Sequence, residues 1–161
     1  MSEDSRIQRA QDLFHQAHKH QTDGELDEAV RLYHESIALF PTAEAHTFLG
    51  WTYSFMGRLD DAISECRQAI AIDPDFGNPY NDIGAYLVQK GEVDEAIPWF
   101  EQALDAPRYE SYCFPHVNLG RVYELKRMWM RALDEYRRAA AEKPDYSPAL
   151  EGMARIRGYL N

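Results

Sequence analysis

The sequence predicts an all-α array of antiparallel helix pairs, and three observations carry that prediction. Alanine occurs 19 times among the 161 residues, whereas Val, Ile and Thr together occur 17 times. Alanine is the best helix former, and the β-branched residues are what a sheet would need in quantity. The segment Gly24-Glu25-Leu26-Asp27-Glu28-Ala29 recurs as Gly57-Arg58-Leu59-Asp60-Asp61-Ala62 and as Gly91-Glu92-Val93-Asp94-Glu95-Ala96, with a degenerate copy at Arg127-Met128-Trp129-Met130-Arg131-Ala132. The four alanines lie 33, 34 and 36 residues apart, so one structural unit repeats with a period near 34.

Each unit reads as two helices. In the first, small residues Ala17, Gly50, Gly84 and Gly120 stand seven positions before the turn, followed three later by His20, Tyr53, Leu87 and Tyr123. A small residue lets two helix axes approach, and the larger one fills the space beside it. The turn glycines 24, 57 and 91 supply the tight connection. In the second helix the motif alanine is followed four residues on by Tyr33, Cys66, Phe100 and Tyr136, and seven on by Ser36, Ala69, Ala103 and Ala139. That i, i+4, i+7 spacing puts small, large and small residues on one face. Asp27, Asp60 and Asp94 open these helices, where free N–H groups and the helix dipole favour a carboxylate. Pro41, Pro74, Pro107 and Pro144 close them. Ser5-x-x-Gln8 reads as a capping box opening the first helix, and Asn78-Pro79 and Ser147-Pro148 read as an N-cap followed by a first-turn proline.

With those residues in place the chain resembles the tetratricopeptide repeat (TPR) family. Leu49-Gly50, Tyr53, Ala62, Ala69 and Pro74 reproduce the family pattern, and so do Leu119-Gly120, Tyr123, Ala132, Tyr136, Ala139 and Pro144. The resemblance implies a single domain over 1–161: a right-handed α-solenoid with repeats at about 10–42, 43–76, 77–110 and 113–146, closed by a helix over 147–160. Repeat one departs from it at Gln16-Ala17 and His20, and repeat four at Arg127, which replaces a turn glycine. Two extra residues enter between Ala106 and Pro115. Pro98 falls inside a second helix, near its start, where a missing N–H costs least.

The resemblance further implies a concave face lined by the first helix of each pair, binding an extended peptide or a partner helix. Positions flanking the small residue, but off the core, should line it. Repeat one then offers Phe14, His15 and His18, and repeat two Thr47, Phe48, Trp51 and Phe55. Repeat three offers Asn81, Asp82, Ala85 and Gln89, and repeat four Val117, Asn118, Arg121 and Glu124, with Glu151 and Arg155 from the last helix. An amide both donates and accepts, so Asn81 and Asn118 suit a peptide backbone, and Arg121 could hold a carboxylate bidentately. Phe48, Trp51 and Phe55 are either anchors for a partner or ordinary packing between repeats. The basic clamp of TPR domains that grip chaperone tails is missing: Phe14, His18, Phe48, Asn78 and Asp82 occupy its places.

Other classes find little support. His15-x-x-His18-x-His20 lacks the companions of a four-ligand metal set, so no metal or other cofactor is expected. No phosphate loop and no G-x-S-x-G is present, so no catalytic residue is assigned and an enzyme is not expected. Cys66 should be a buried packing thiol, whereas Cys113, in the junction, could be exposed. Net charge is −10, which disfavours nucleic acid and anionic membranes as partners. No apolar run spans a bilayer and the polar, acidic Met1–Ser5 stretch does not read as a targeting segment, so a cytoplasmic protein is expected. The charge is polarised, −13 over residues 1–112 and +3 over residues 113–161. Two arrangements therefore follow: a monomeric adaptor with a peptide in its groove, or a weak homo-oligomer assembled through Lys126, Arg127, Arg131, Arg137 and Arg138. Trp129 and Met130, in a turn expected to be polar, suggest that something apolar packs there.

Overall fold

Glycine shapes three of the four tight turns. Gly24, Gly57 and Gly91 take φ of +81°, +77° and +84°, a region that costs an L side chain about 1–2 kcal/mol. In the computed structural model, which describes residues 1–161, these glycines join α1 (Glu3–Thr22) to α2 (Leu26–Leu39), α3 (Ala43–Phe55) to α4 (Leu59–Ile72), and α5 (Asn78–Gln89) to α6 (Val93–Asp105). A fourth pair, α7 (Cys113–Leu125) and α8 (Trp129–Glu142), is followed by α9 (Ser147–Leu160). There is no strand, and the chain is an all-α helical repeat, as its periodicity predicts. No helix is long and apolar enough to cross a membrane.

Two compact units are present, Met1–Pro79 and Tyr80–Asn161. In the first, Ala17 and Tyr33 are fully buried between α1 and α2. The Tyr33 hydroxyl donates to Gln21 Oε1 at 2.6 Å, and the buried Ser36 hydroxyl donates to the Ala10 carbonyl at 2.7 Å. In the second, a Cβ on Gly84 would stand 2.5 Å from the Phe100 ring. The Tyr136 ring is held between Gly120 of α7 and Gly152 of α9, each too close to carry a side chain. The small and large positions of the repeat are thus complementary surfaces of one contact.

A further alternation runs through the repeats at two positions 19 residues apart. They hold buried Leu13 and Leu32 in the first repeat, and Tyr80 facing Trp99 at 6.2 Å in the third. In the second and fourth they hold His46 with Glu65 at 2.6 Å and His116 with Glu135 at 2.7 Å, all largely buried. One contact site between paired helices is therefore filled by apolar or by hydrogen-bonded polar partners.

Several local expectations change. Helix α1 begins at Glu3, not at the Ser5 box: Ser2 is the N-cap and its hydroxyl accepts from the Ser5 N–H at 3.1 Å. Ser147 is already helical and its side chain caps nothing; Tyr146 is the N-cap. The residues before α2, α4 and α6 make no side-chain cap, and Asp27, Asp60 and Asp94 lie in the first turn, where the helix dipole favours a carboxylate. Pro98 is the sixth residue of α6, beyond the turn whose N–H groups are free, so it does remove an intrahelical bond. Cys113 is buried, not exposed, and burial pushes its thiol pKa up.

Candidate interaction surfaces

In the first unit, α1 presents Phe14 and His18 one turn apart and α3 presents Phe48 and Trp51. These four form one aromatic cluster with Phe48 at its centre. Its ring lies edge-on to Phe14 at 5.2 Å, to His18 at 5.2 Å and to Trp51 at 5.1 Å. Such pairs stabilise by about 0.5–1.5 kcal/mol beyond burial. Phe14 meets Tyr33 of its own pair at 5.8 Å and Phe48 of the next pair meets the same ring at 6.5 Å, so the inner half of the cluster is packing within and between helix pairs. Trp51 stands at the rim, 36% exposed. Phe55 lies outside the cluster and is 67% exposed. Thr47, expected to line the same face, is buried, its hydroxyl donating to the Ala43 carbonyl at 2.7 Å. The three histidines diverge: His15 contacts Phe14, His18 contacts Phe48, and His20 bonds Glu25 at 3.2 Å.

In the second unit, the amides predicted to meet a ligand meet each other. Asn118 Nδ2 donates to Asn81 Oδ1 at 3.0 Å, joining α7 to α5. Asn81 and Asp82 are buried and Val117 is fully so. Asn118 is half-buried and Arg121 exposed. These two, with Ala85, Val88, Gln89 and Phe100, line an open cleft of about 210 Å³. A larger cavity of about 540 Å³ shares Val88 and Arg121 and continues along Glu124, Leu125, Arg127, Trp129, Arg155 and Tyr159.

Glu124 and Arg155, both expected on the groove, are partners. Arg155 Nε and Nη2 donate to the Glu124 carboxylate at 3.0 and 3.1 Å, and the Tyr136 hydroxyl donates to it at 2.8 Å. Burial of Glu124 opposes ionisation, but the Arg155 and Tyr136 hydrogen bonds outweigh it, and its pKa lies below the ordinary value of 4.5. A carboxyl depressed in the folded state adds stability above its ordinary value and loses it as pH falls through the folded one. Stability should therefore drop with acid below pH 4.5, and Arg155→Gln should make that drop shallower in urea melts.

The basic end is largely engaged within the chain. Lys126 bonds Asp94, Arg137 pairs with Asp134 at 3.7 Å, and Arg138 pairs with Glu135 at 3.3 Å. The Arg131 guanidinium lies 5.5 Å from the Tyr123 ring centre. Arg121 and Arg127 form no ion pair.

Tetratricopeptide repeat models match residues 43–76 and 80–106. The chain contains tetratricopeptide repeats. It is 26% identical over 103 residues to the small glutamine-rich tetratricopeptide repeat-containing protein 2 of Mycosarcoma maydis, covering 63% of this chain and 29% of that one. This TPR chain spans 19–29% of the length of the curated relatives it matches. Among solved structures it is similar to one described as "Functional Characterization of Pseudomonas Aeruginosa pilF", with a TM-score of 0.88, 19% identity, and coverage of 97% of this chain and 72% of that one. It is also similar to one described as "Crystal structure of MamA protein", with a TM-score of 0.75, 23% identity, and coverage of 92% and 80%. At such identities the likeness is one of fold.

Two features of the TPR surfaces lay outside the sequence reading. The His–Glu pairs had a visible signal, since His46 and His116 hold the same place in their repeats and each has a glutamate 19 residues on. The tilted Trp129–Tyr159 ring contact, with centres 4.8 Å apart, had none, because no repeat partner exists for α9.

Proposed function

We propose that this TPR protein is a non-enzymatic adaptor that takes a partner peptide or helix on the exposed faces of its first-in-pair helices. The observation that carries the reading is the cleft beside Asn118 and Arg121. It is open, and α7 presents to it a half-buried amide and, one turn on, an exposed guanidinium without an ion pair. An amide can serve a peptide backbone of any sequence, and a guanidinium can take a carboxylate in a fork. Trp51, at the rim of the aromatic cluster, supplies an apolar anchor in the first unit. Asn81 and Asp82 act behind this surface, Asn81 by orienting Asn118. Phe14, His18 and Phe48 support Trp51, and Phe55 adds apolar contact area.

A pull-down from the native cell with Asn118→Ala, Arg121→Ala and Trp51→Ala combined should lose its partner about tenfold or more, since a hydrogen bond to a charged group contributes about 1.5–3 kcal/mol. Retention of every partner would remove the reading. Self-assembly through the basic end is the competing arrangement, favoured by the polarised charge. Four of its five cations, Lys126, Arg131, Arg137 and Arg138, already have partners within the chain. Sedimentation at low and high salt separates the two: the adaptor stays monomeric at both.

A further inference from the structure

The turn between α7 and α8 is the exception among the four. Arg127 stands at φ +59°, in the left-handed region where the other three turns use glycine. Side chains held in that region concentrate at binding sites, where the surroundings offset the strain. Arg127 lines the cavity of about 540 Å³, as do Arg121 and Arg155. Arg155 is paired with Glu124, whose carboxylate also attracts Arg121 from beyond ion-pair distance, and neither Arg121 nor Arg127 forms an ion pair. Three cations against one carboxylate leave the lining with a positive excess.

The rest of the lining is apolar apart from Glu124. Trp129 is the first residue of α8, where the other repeats place Leu26, Leu59 and Val93. Its greater size is taken up by Tyr159 of α9, whose ring is tilted against it with centres 4.8 Å apart and which is itself 57% exposed. Leu125, 66% exposed, extends the same apolar lining. The volume falls within the range of formed ligand sites, and the cavity runs into the Asn118 cleft through Val88 and Arg121.

We propose that this cavity is a specificity pocket for a partner peptide that carries an acidic side chain beside a large apolar one. The carboxylate bridges Arg121 and Arg127, and the apolar side chain lies against Trp129 and Tyr159. The assignment rests on reading the chain as a peptide-binding module and adds to it which side chains the peptide must bring. The positive excess selects the acid, and continuity with the cleft selects a peptide over an isolated small molecule.

The test uses the full chain labelled with ¹⁵N and follows the indole N–H signals of Trp51, Trp99 and Trp129. The probe is a short Gly/Ser peptide with a central Glu-Phe step, compared with its Gln-Phe and Glu-Ala forms and with phenylpropanoate. The Trp129 signal should shift saturably with the Glu-Phe peptide while Trp99 stays fixed. Either peptide change should weaken binding by about tenfold. In the chain, Arg127→Gly should weaken binding by a similar factor yet raise Tm by about 2–4 °C, because it relieves the left-handed arginine. A merely structural arginine would not move binding and stability in opposite directions. A shift at Trp51 with Trp129 unmoved would overturn the pocket and leave the adaptor reading standing. No shift at Trp129, a Gln-Phe peptide bound equally well, or unchanged affinity in Arg127→Gly would each overturn the pocket. Phenylpropanoate bound as tightly as the peptide would overturn the commitment to a peptide.

Discussion

Tyr136→Ala should remove about 3–5 kcal/mol of stability, a large share of the roughly 5–15 kcal/mol that a domain has. The ring is fully buried and fills the space between Gly120 and Gly152. Neither glycine can fill the cavity left behind, since both lie on helix backbones. The hydroxyl is lost as well, and with it one of three donors to the Glu124 carboxylate. Because α9 rests on this ring through Gly152, its amides should exchange with solvent faster than those of α7. Tyr136→Phe separates the two contributions: it keeps the ring and should cost only about 1.5–3 kcal/mol, the scale of a hydrogen bond to a charged group. Urea unfolding of the two variants gives the comparison. Similar losses in both would mean that the hydroxyl, not the ring, holds the helices together.

Gly84→Val should cost about 3 kcal/mol. The first atom added already falls 2.5 Å from the buried Phe100 ring, and valine adds two methyl groups beyond it. Alanine substitutions along the chain should grade this effect. Each gains about 1 kcal/mol of helix propensity, so the sign depends on the space available. Gly158 has nothing within 4 Å, and its alanine variant should be stabilised. Gly50 meets the Ala62 carbonyl oxygen at 3.1 Å and Cys66 Sγ at 3.3 Å, and should come out near neutral. Gly84→Ala should lose about 1–2 kcal/mol, the overpacking cost less the propensity gain. Thermal unfolding in that order, from Gly158 through Gly50 to Gly84, checks the series.

These two predictions lie on positions that the repeat pattern already marked, and that is why the fold was legible. A residue fixed by period and size at Gly84 or Tyr136 must meet its counterpart wherever the pairs stack. The turn residues were legible for a related reason, since a left-handed backbone leaves few choices, and Arg127 stood out by violating them. Less could be read of the surface. Thr47 and Val117 share the helix face of true surface residues and are buried all the same, because neighbouring helices cover one face to different depths. Asn81 and Asn118, chosen as free amides, bond each other, a pairing 37 residues apart that no local spacing contains.

The sequence by itself determined the all-α class, the four helix pairs, their turns, and the small-against-large contacts within them. All of these follow from interactions between residues fewer than about 35 apart, repeated in register. Tertiary structure alone decided which polar groups remain available. Ion pairs join Lys126, after α7, to Asp94 of α6 and Arg155 of the closing helix α9 to Glu124 of α7, and they neutralise cations that composition counts as free. Of the three arginines that line the larger cavity, Arg121 and Arg127 are left without an ion pair, beside the tilted Trp129–Tyr159 ring pair. Charge neutralisation depends on distances of a few ångströms, and those are fixed only when the helices pack.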